Sequence, residues 1–248
     1  MEYNVNINGI DVEATYSEEA IEKIVRPLLE RMGKKHDSEK RRILVMLAAP
    51  PGAGKSTFVS FLGHMAKEII PTKKVQAIGM DGFHRRQEYL TSHTTIVDGK
   101  EIPMVDIKGA PITFDFDALK SKIIELKDKA VCKWPEYNRM LHNPVEDAIT
   151  VDGDIVLLEG NYLLLDEDGW RDISEYADYT ISMKADPKML RERLIDRKTA
   201  SGNTREKAEK FVDFSDMANV RVCLEHSKKA DMELTIDEAG NLHRYDHD

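Results

Sequence analysis

The chain has 248 residues, 41% of them hydrophobic, and a formal net charge of −9. That size suits one α/β domain, or one domain with insertions, and the acidic balance without a long basic run argues against a nucleic-acid surface. Cys132 and Cys223 are too few for a disulfide framework or a zinc site, and no secretory signal or long apolar span is visible, so a cytoplasmic protein that does not engage a membrane is expected.

Residues 3–16 alternate loosely about Asn8-Gly9, which predicts a hairpin of two short strands. Ser17 is placed to cap a helix, and Ile21, Ile24, Val25, Leu28, Leu29 and Met32 recur at helical spacing. Pro27 inside that pattern predicts a kink or a restart. Residues 33–40 are polar and basic and read as a linker. Residues 1–40 are therefore read as an N-terminal hairpin-and-helix appendage, and residues 41–248 as the main domain.

The run Ile43 to Ala49 reads as a strand buried on both faces. A Gly/Pro-rich turn follows, then Lys55-Ser56-Thr57 opens a helix to about Ile69. This is G-x-x-x-x-G-K-[ST] with Ala49 in the first position. Backbone N–H groups at such a helix start face oxyanions, so Pro51, Gly52, Ala53, Gly54, Lys55, Ser56 and Thr57 are expected to cradle the phosphates of a nucleoside triphosphate. Lys55 would reach the β- and γ-phosphates, and Ser56 would bind Mg²⁺.

Lys74 to Met80 is a second strand, running into Asp81. Residues 91–111 look irregular. A helix over 114–127, a short strand over 131–134 and a loop over 137–144 follow. Asp154 to Glu159 is another buried strand, and 178–183 the next. Asp186-Pro187 starts a helix to about Ala200; Ser201-Gly202-Asn203 breaks it, and 204–229 is helical again. A short strand at 233–236 precedes a polar tail. Strands alternating with helices predict a mainly parallel sheet.

In open α/β sheets ligands sit beyond the carboxyl ends of strands. Asp81 and Glu159 both occupy such ends. Asp81 could take a proton from an attacking hydroxyl, or simply cap a turn with Gly82; Glu159 could ligate Mg²⁺, or cap a helix. Arg191, Arg193 and Arg197 could close over phosphates, but Glu192 and Asp196 make a salt-bridged solvent face an equal reading of the spacing. His84, Arg85, Arg86, Lys108, Tyr137, Arg139 and His142 could line a positively biased acceptor pocket.

Five blocks carry a resemblance: Ala49 to Thr57, Met80-Asp81-Gly82-Phe83-His84, Lys108-Gly109-Ala110-Pro111 leading to Phe114-Asp115, Pro135-Glu136-Tyr137, and Leu158-Glu159-Gly160-Asn161-Tyr162-Leu163-Leu164. In their order over residues 43–225 they resemble the P-loop kinases that include uridine kinase, phosphoribulokinase and bacterial pantothenate kinase, and most of all a nucleoside- or fructose-kinase-like branch. The resemblance implies a three-layer P-loop NTPase fold with a helical lid at about 187–215. It implies ATP and Mg²⁺ as cofactors and a hydroxyl-bearing small molecule as acceptor. Asp81 matches the catalytic base, Lys55 the phosphate site, and Ser56 and Glu159 the metal positions. Arg193 and Arg197 fall in the lid, in a lid poorer in Arg than that of uridine kinases. Phe83, His84, Arg85, Lys108, Tyr137, Arg139, Asn161 and Tyr162 are then the expected acceptor contacts.

The reading is an ATP-dependent kinase acting on a sugar, sugar phosphate, nucleoside or pantothenate-like alcohol. A nucleotide-driven switch or chaperone is the alternative, although no Asn-Lys-x-Asp guanine-reading motif is present. A nucleotide-binding module without activity finds support only in Ala49. Whether the chain forms a homodimer is left open.

Overall fold

A computed structural model describes residues 1–7 and 9–245. The chain opens with an antiparallel hairpin of β1 (Glu2–Ile7) and β2 (Ile10–Thr15). Of the expected Asn8-Gly9 turn, Asn8 lies outside the described residues, and Gly9 has φ 83°. Ser17 caps the short α1 (Glu18–Ala20), accepting the Ala20 N–H at 3.0 Å. One wide turn, Ile21–Val25, runs straight into α2 (Arg26–Glu39), with Val25 and Arg26 both helical, so Pro27 lies inside a continuous helical run and the wide turn just before it is the local irregularity the proline predicted.

The expected linker at 33–40 is instead the second half of α2. Lys35 and Glu39 form an i, i+4 pair at 2.6 Å, and Gly33 leaves room for Ile70. What looked like a connector is the solvated face of a helix, ended by Lys40 at φ 52°.

β3 (Ile43–Ala48) leads through the glycine-rich turn to α3 (Lys55–Ile69). After β4 (Val75–Gly79) come a 3₁₀ turn at Met80–Phe83 and α4 (Gln87–Ser92). The stretch read as irregular then holds a second hairpin, β5 (Thr94–Val97) with β6 (Lys100–Pro103). Its turn is Asp98-Gly99, both at positive φ, a tight-turn signal present in the sequence. Asp115 caps α5 (Phe116–Asp128). Of the expected loop at 137–144, residues 139–142 are a turn, while 137–138 and 143–144 are the paired ends of β7 (Cys132–Asn138) and β8 (Asn143–Val151), a hairpin bulged between Trp134 and Glu136, where Pro135 cannot donate to the ladder.

β9 (Ile155–Gly160) and β10 (Tyr179–Ala185) follow, then α6 (Pro187–Ala200), α7 (Arg205–Phe211), a wide turn at Val212–Asp216 and α8 (Met217–Glu225). β11 (Met232–Ile236) pairs with β12 (Leu242–Arg244), a strand in what was read as polar tail.

The central sheet has the order β12-β11-β10-β3-β9-β4, parallel throughout except β11 against β12. Alternate residues of β3 feed opposite cores. Ile43, Val45 and Leu47 pack with α2, α3 and α6; Leu44, Met46 and Ala48 pack with α5, Trp134 and Tyr162. That is why β3 reads as an unbroken apolar run. The result is the expected three-layer P-loop fold. Residues 1–40 share the first core: Leu28, Leu29 and Met32 are buried in it, and Tyr16 stacks on Phe61 of α3 at 3.8 Å.

Candidate active site

The loop between β3 and α3 turns at Gly52 (φ 85°) and Gly54 (φ 83°), a backbone region that side chains disfavour. A Cβ on Gly52 would lie 3.3 Å from Leu194 Cγ, so α6 seats directly on the loop. Ala49 is absent from the positive-φ residues, is buried, and donates its N–H to Gly160 O at 3.3 Å. It ends the strand and has no need of glycine. Pro51 to Gly54 make the turn, and Lys55, Ser56 and Thr57 are the first turn of α3, where helix geometry leaves N–H groups unpaired and facing outward.

Sheet register brings the carboxylates to this loop. Glu159 is level with Leu47 of β3 on one side and Gly79 of β4 on the other. Ser56 donates its hydroxyl to Glu159 Oε1 at 2.7 Å. Burial raises the Glu159 pKa; Lys55 opposes that, and the negative charge of Asp81 adds to it. Asp81 follows β4 on the 3₁₀ turn. Two contacts fix that turn. The Trp134 indole donates to Gly79 O at 2.8 Å, and Gly82 lies so close to Pro135 that a Cβ would overlap the Pro135 carbonyl.

Ser56, Gly79, Asp81, Glu136, Tyr137 and Glu159 share a cavity of about 240 Å³. A larger cavity, about 310 Å³, lies beside it across Gly82 and Pro135 and includes neither Ser56 nor Glu159. The smaller one groups both strand-end carboxylates with the start of α3.

The expected acceptor residues divide between these places. Tyr137 walls the first cavity, and its pKa is raised by burial and by Asp81. Arg139 is exposed beyond it on the same hairpin, and its charge reaches Glu159 and Arg197. Lys108 donates to Gln87 Oε1 at 2.7 Å and His142 O at 3.0 Å and lies 5.1 Å from the centre of the Tyr137 ring; burial lowers its pKa. Phe83, His84 and Arg85 line the larger cavity. His84 packs between Phe114 and Tyr137, where burial lowers its pKa. Tyr162 is fully buried, packed edge-on against Phe114 and Trp170, and its hydroxyl donates to Gly109 O at 2.6 Å. Asn161 keeps a buried Oδ1 without a protein partner.

The α6 arginines face different ways. Arg191 pairs with Asp213 at 2.6 Å. Arg193 reaches Gly240, in the turn between β11 and β12. Arg197 is solvent-accessible but stands among protein walls, which push its pKa down; Arg139 adds to that, and Asp216 and Asp81 oppose it. Asp216, buried and 3.6 Å from Lys198, went unnoticed in the sequence because nothing in a polar helical run marks an inward carboxylate.

Ser56 and Glu159 offer hard oxygen donors at the phosphate loop. Mg²⁺ keeps waters and substrate phosphates as its other ligands, so this pair fits it without a larger protein cage. Among the described residues no group of three or more His, Cys, Asp or Glu is placed to hold a metal, and no helix is long and apolar enough to cross a membrane.

The model of the Phosphoribulokinase / Uridine kinase family matches residues 44–236. The Escherichia coli protein YggC, described as uncharacterized, is 36% identical over 244 residues, spanning 98% of this chain and 99% of that one. A Schizosaccharomyces pombe protein provisionally named a uridine kinase is 31% identical over 188 residues, 73% of this chain and 77% of that one. The crystal structure of a Silicibacter protein, provisionally a fructose transport system kinase, superimposes with TM-score 0.75 at 27% identity, covering 84% of this chain and 98% of that one.

Proposed function

The chain belongs to the Phosphoribulokinase / Uridine kinase family of hydroxyl-directed phosphotransferases, and on that footing we propose that it transfers the γ-phosphoryl group of ATP to one small alcohol, with Asp81 as base. The observation that carries this is the grouping of Asp81 with the Ser56–Glu159 hydrogen bond in one cavity at the mouth of the phosphate loop. When bound, Mg²⁺·ATP supplies the phosphoryl group and the charge that offsets its oxygens.

The protein's own part is positioning. The loop N–H groups and Lys55 would hold phosphate oxygens, and Ser56 and Glu159 would hold the metal. Asp81 accepts the proton of the acceptor hydroxyl and aligns its oxygen. Arg197, set among the charges of Arg139, Asp216 and Asp81, meets the charge that develops on the moving group. The 240 Å³ cavity is small beside the ~300–1,000 Å³ of drug-sized ligand sites, so the acceptor is a single small metabolite.

The test is coupled ADP release with D-fructose, uridine and pantothenate. One of them is turned over, and Asp81→Asn lowers kcat by at least ~100-fold while ATP still binds. Near-normal turnover in that variant overturns the base assignment.

A further inference from the structure

We propose that the N-terminal hairpin is part of the acceptor site and that Ile7 is a residue that determines acceptor specificity; this rests on the kinase reading above. The matched family stretch begins at residue 44, so the hairpin lies outside it. Yet Asn6 and Ile7 line the same cavity as Ser56, Asp81 and Glu159.

The geometry follows from where the hairpin is fastened. Along β1, Tyr3, Val5 and Ile7 are partly buried, whereas Glu2, Asn4 and Asn6 are exposed, so one face lies against the protein. Tyr3 is tied to the middle of α3: its hydroxyl is 2.8 Å from Ser60 Oγ, and its ring meets Phe61 edge-on at 5.2 Å. The Met1 amino group donates to Tyr16 O at 2.6 Å and closes the base of the hairpin. From Tyr3 to Ile7 a strand advances about 13 Å. From Ser60 back to Ser56 a helix advances about 6 Å. The hairpin therefore runs past the start of α3 and out over the cavity, where Glu136, Tyr137 and Ile149 of the β7–β8 hairpin form other parts of the lining.

The two tip residues differ in what they offer. The Asn6 amide is engaged in its own turn, donating to Asp11 Oδ1 at 2.6 Å and accepting the Gly9 N–H at 2.9 Å. Ile7 presents only carbon. With Val59, Ala77 and Ile149 it gives the cavity apolar lining alongside Asp81. The chemistry that fits is an alcohol with an apolar segment next to its reactive hydroxyl. That favours pantothenate, whose hydroxyls flank a gem-dimethyl carbon, over uridine and D-fructose, whose hydroxyls sit on an oxygen-rich sugar skeleton.

The experiment measures KM for ATP and for each of these three alcohols in wild type, Ile7→Ala, Ile7→Trp and, on the outward face, Asn4→Ala, with thermal midpoints to confirm folding. Removing the apolar contact is expected to raise the acceptor KM by ~10-fold or more in Ile7→Ala. Filling the cavity in Ile7→Trp lowers acceptor kcat/KM by a similar factor. ATP KM stays within about twofold of wild type, and Asn4→Ala behaves as wild type. Acceptor constants unchanged in both Ile7 variants, or ATP KM rising in step with acceptor KM, overturn the role of the hairpin alone. Wild-type turnover of none of the three alcohols overturns the kinase reading and the role of the hairpin together.

Discussion

Trp134→Phe separates the support of the site from its chemistry. The indole is fully buried, meets Phe83 edge-on at 5.0 Å, and donates to Gly79 O, the last residue of the edge strand β4 and two residues before Asp81. Phenylalanine keeps most of the packing but has no donor. Leaving this part-buried carbonyl without its donor costs about 1–2 kcal/mol, and the volume lost adds roughly 1 kcal/mol. The sum, about 2–3 kcal/mol, lowers the thermal midpoint of a chain this size by ~4–12 °C. The same change loosens the turn that carries Asp81, and kcat falls by ~10-fold or more, with ATP KM held. Urea unfolding and coupled ADP release read the two effects. A stability loss below about 1 kcal/mol would show that the indole hydrogen bond does not hold the end of β4.

Glu159→Gln removes a carboxylate whose pKa is raised by burial, against the pull of Lys55 and with a further push from Asp81. A group whose folded pKa lies above its unfolded one contributes stability only when protonated, and that contribution is lost as pH rises through the folded pKa. The metal-free variant therefore gains thermal midpoint on wild type as pH rises from about 4 toward about 8, and loses the stabilisation that Mg²⁺·ATP gives wild type; the opposite trend in a pH series of melts refutes the electrostatic argument. Arg197→Ala is expected to lower kcat by ~100-fold or more, whereas Arg193→Ala, whose side chain reaches Gly240, stays within about threefold in the same steady-state assay.

The contrast between the two arginines shows where sequence reasoning stops. Arg193 and Arg197 share a face by spacing, but one turn of helix separates them by about 6 Å along the axis, and long side chains reach different neighbours. The placement of Asp81 and Glu159 at the carboxyl ends of parallel strands was legible, Glu159 within the end of β9 and Asp81 two residues beyond β4, and register then brings Glu159 level with Gly79 whatever the loops do. The fold was legible for a similar reason: β3 and β9 are apolar runs too short for helices, and Asp186-Pro187 marks the start of α6 by local backbone chemistry. Tyr162 came forward as an acceptor contact through the resemblance alone; its burial is decided by Phe114, Trp170 and the Gly109 carbonyl, which come from distant parts of the chain. The β7–β8 pairing is hidden for a local reason: Pro135 interrupts the ladder at its bulge, and the turn at 139–142 carries no glycine signal. The donor and acceptor sides of the site differ in how far apart their residues lie in the chain. The phosphate loop is one contiguous stretch whose N–H groups act through local geometry, so its spacing in sequence reports its function directly. The acceptor cavity is assembled from the tip of β1, the start of α3, the end of β4 and the β7–β8 hairpin. On the proposed reading, specificity residues such as Ile7 follow from the register and packing that bring four separate segments to one cavity, and a substitution that shifts β1 or the β7–β8 hairpin is expected to act on the acceptor before it acts on ATP.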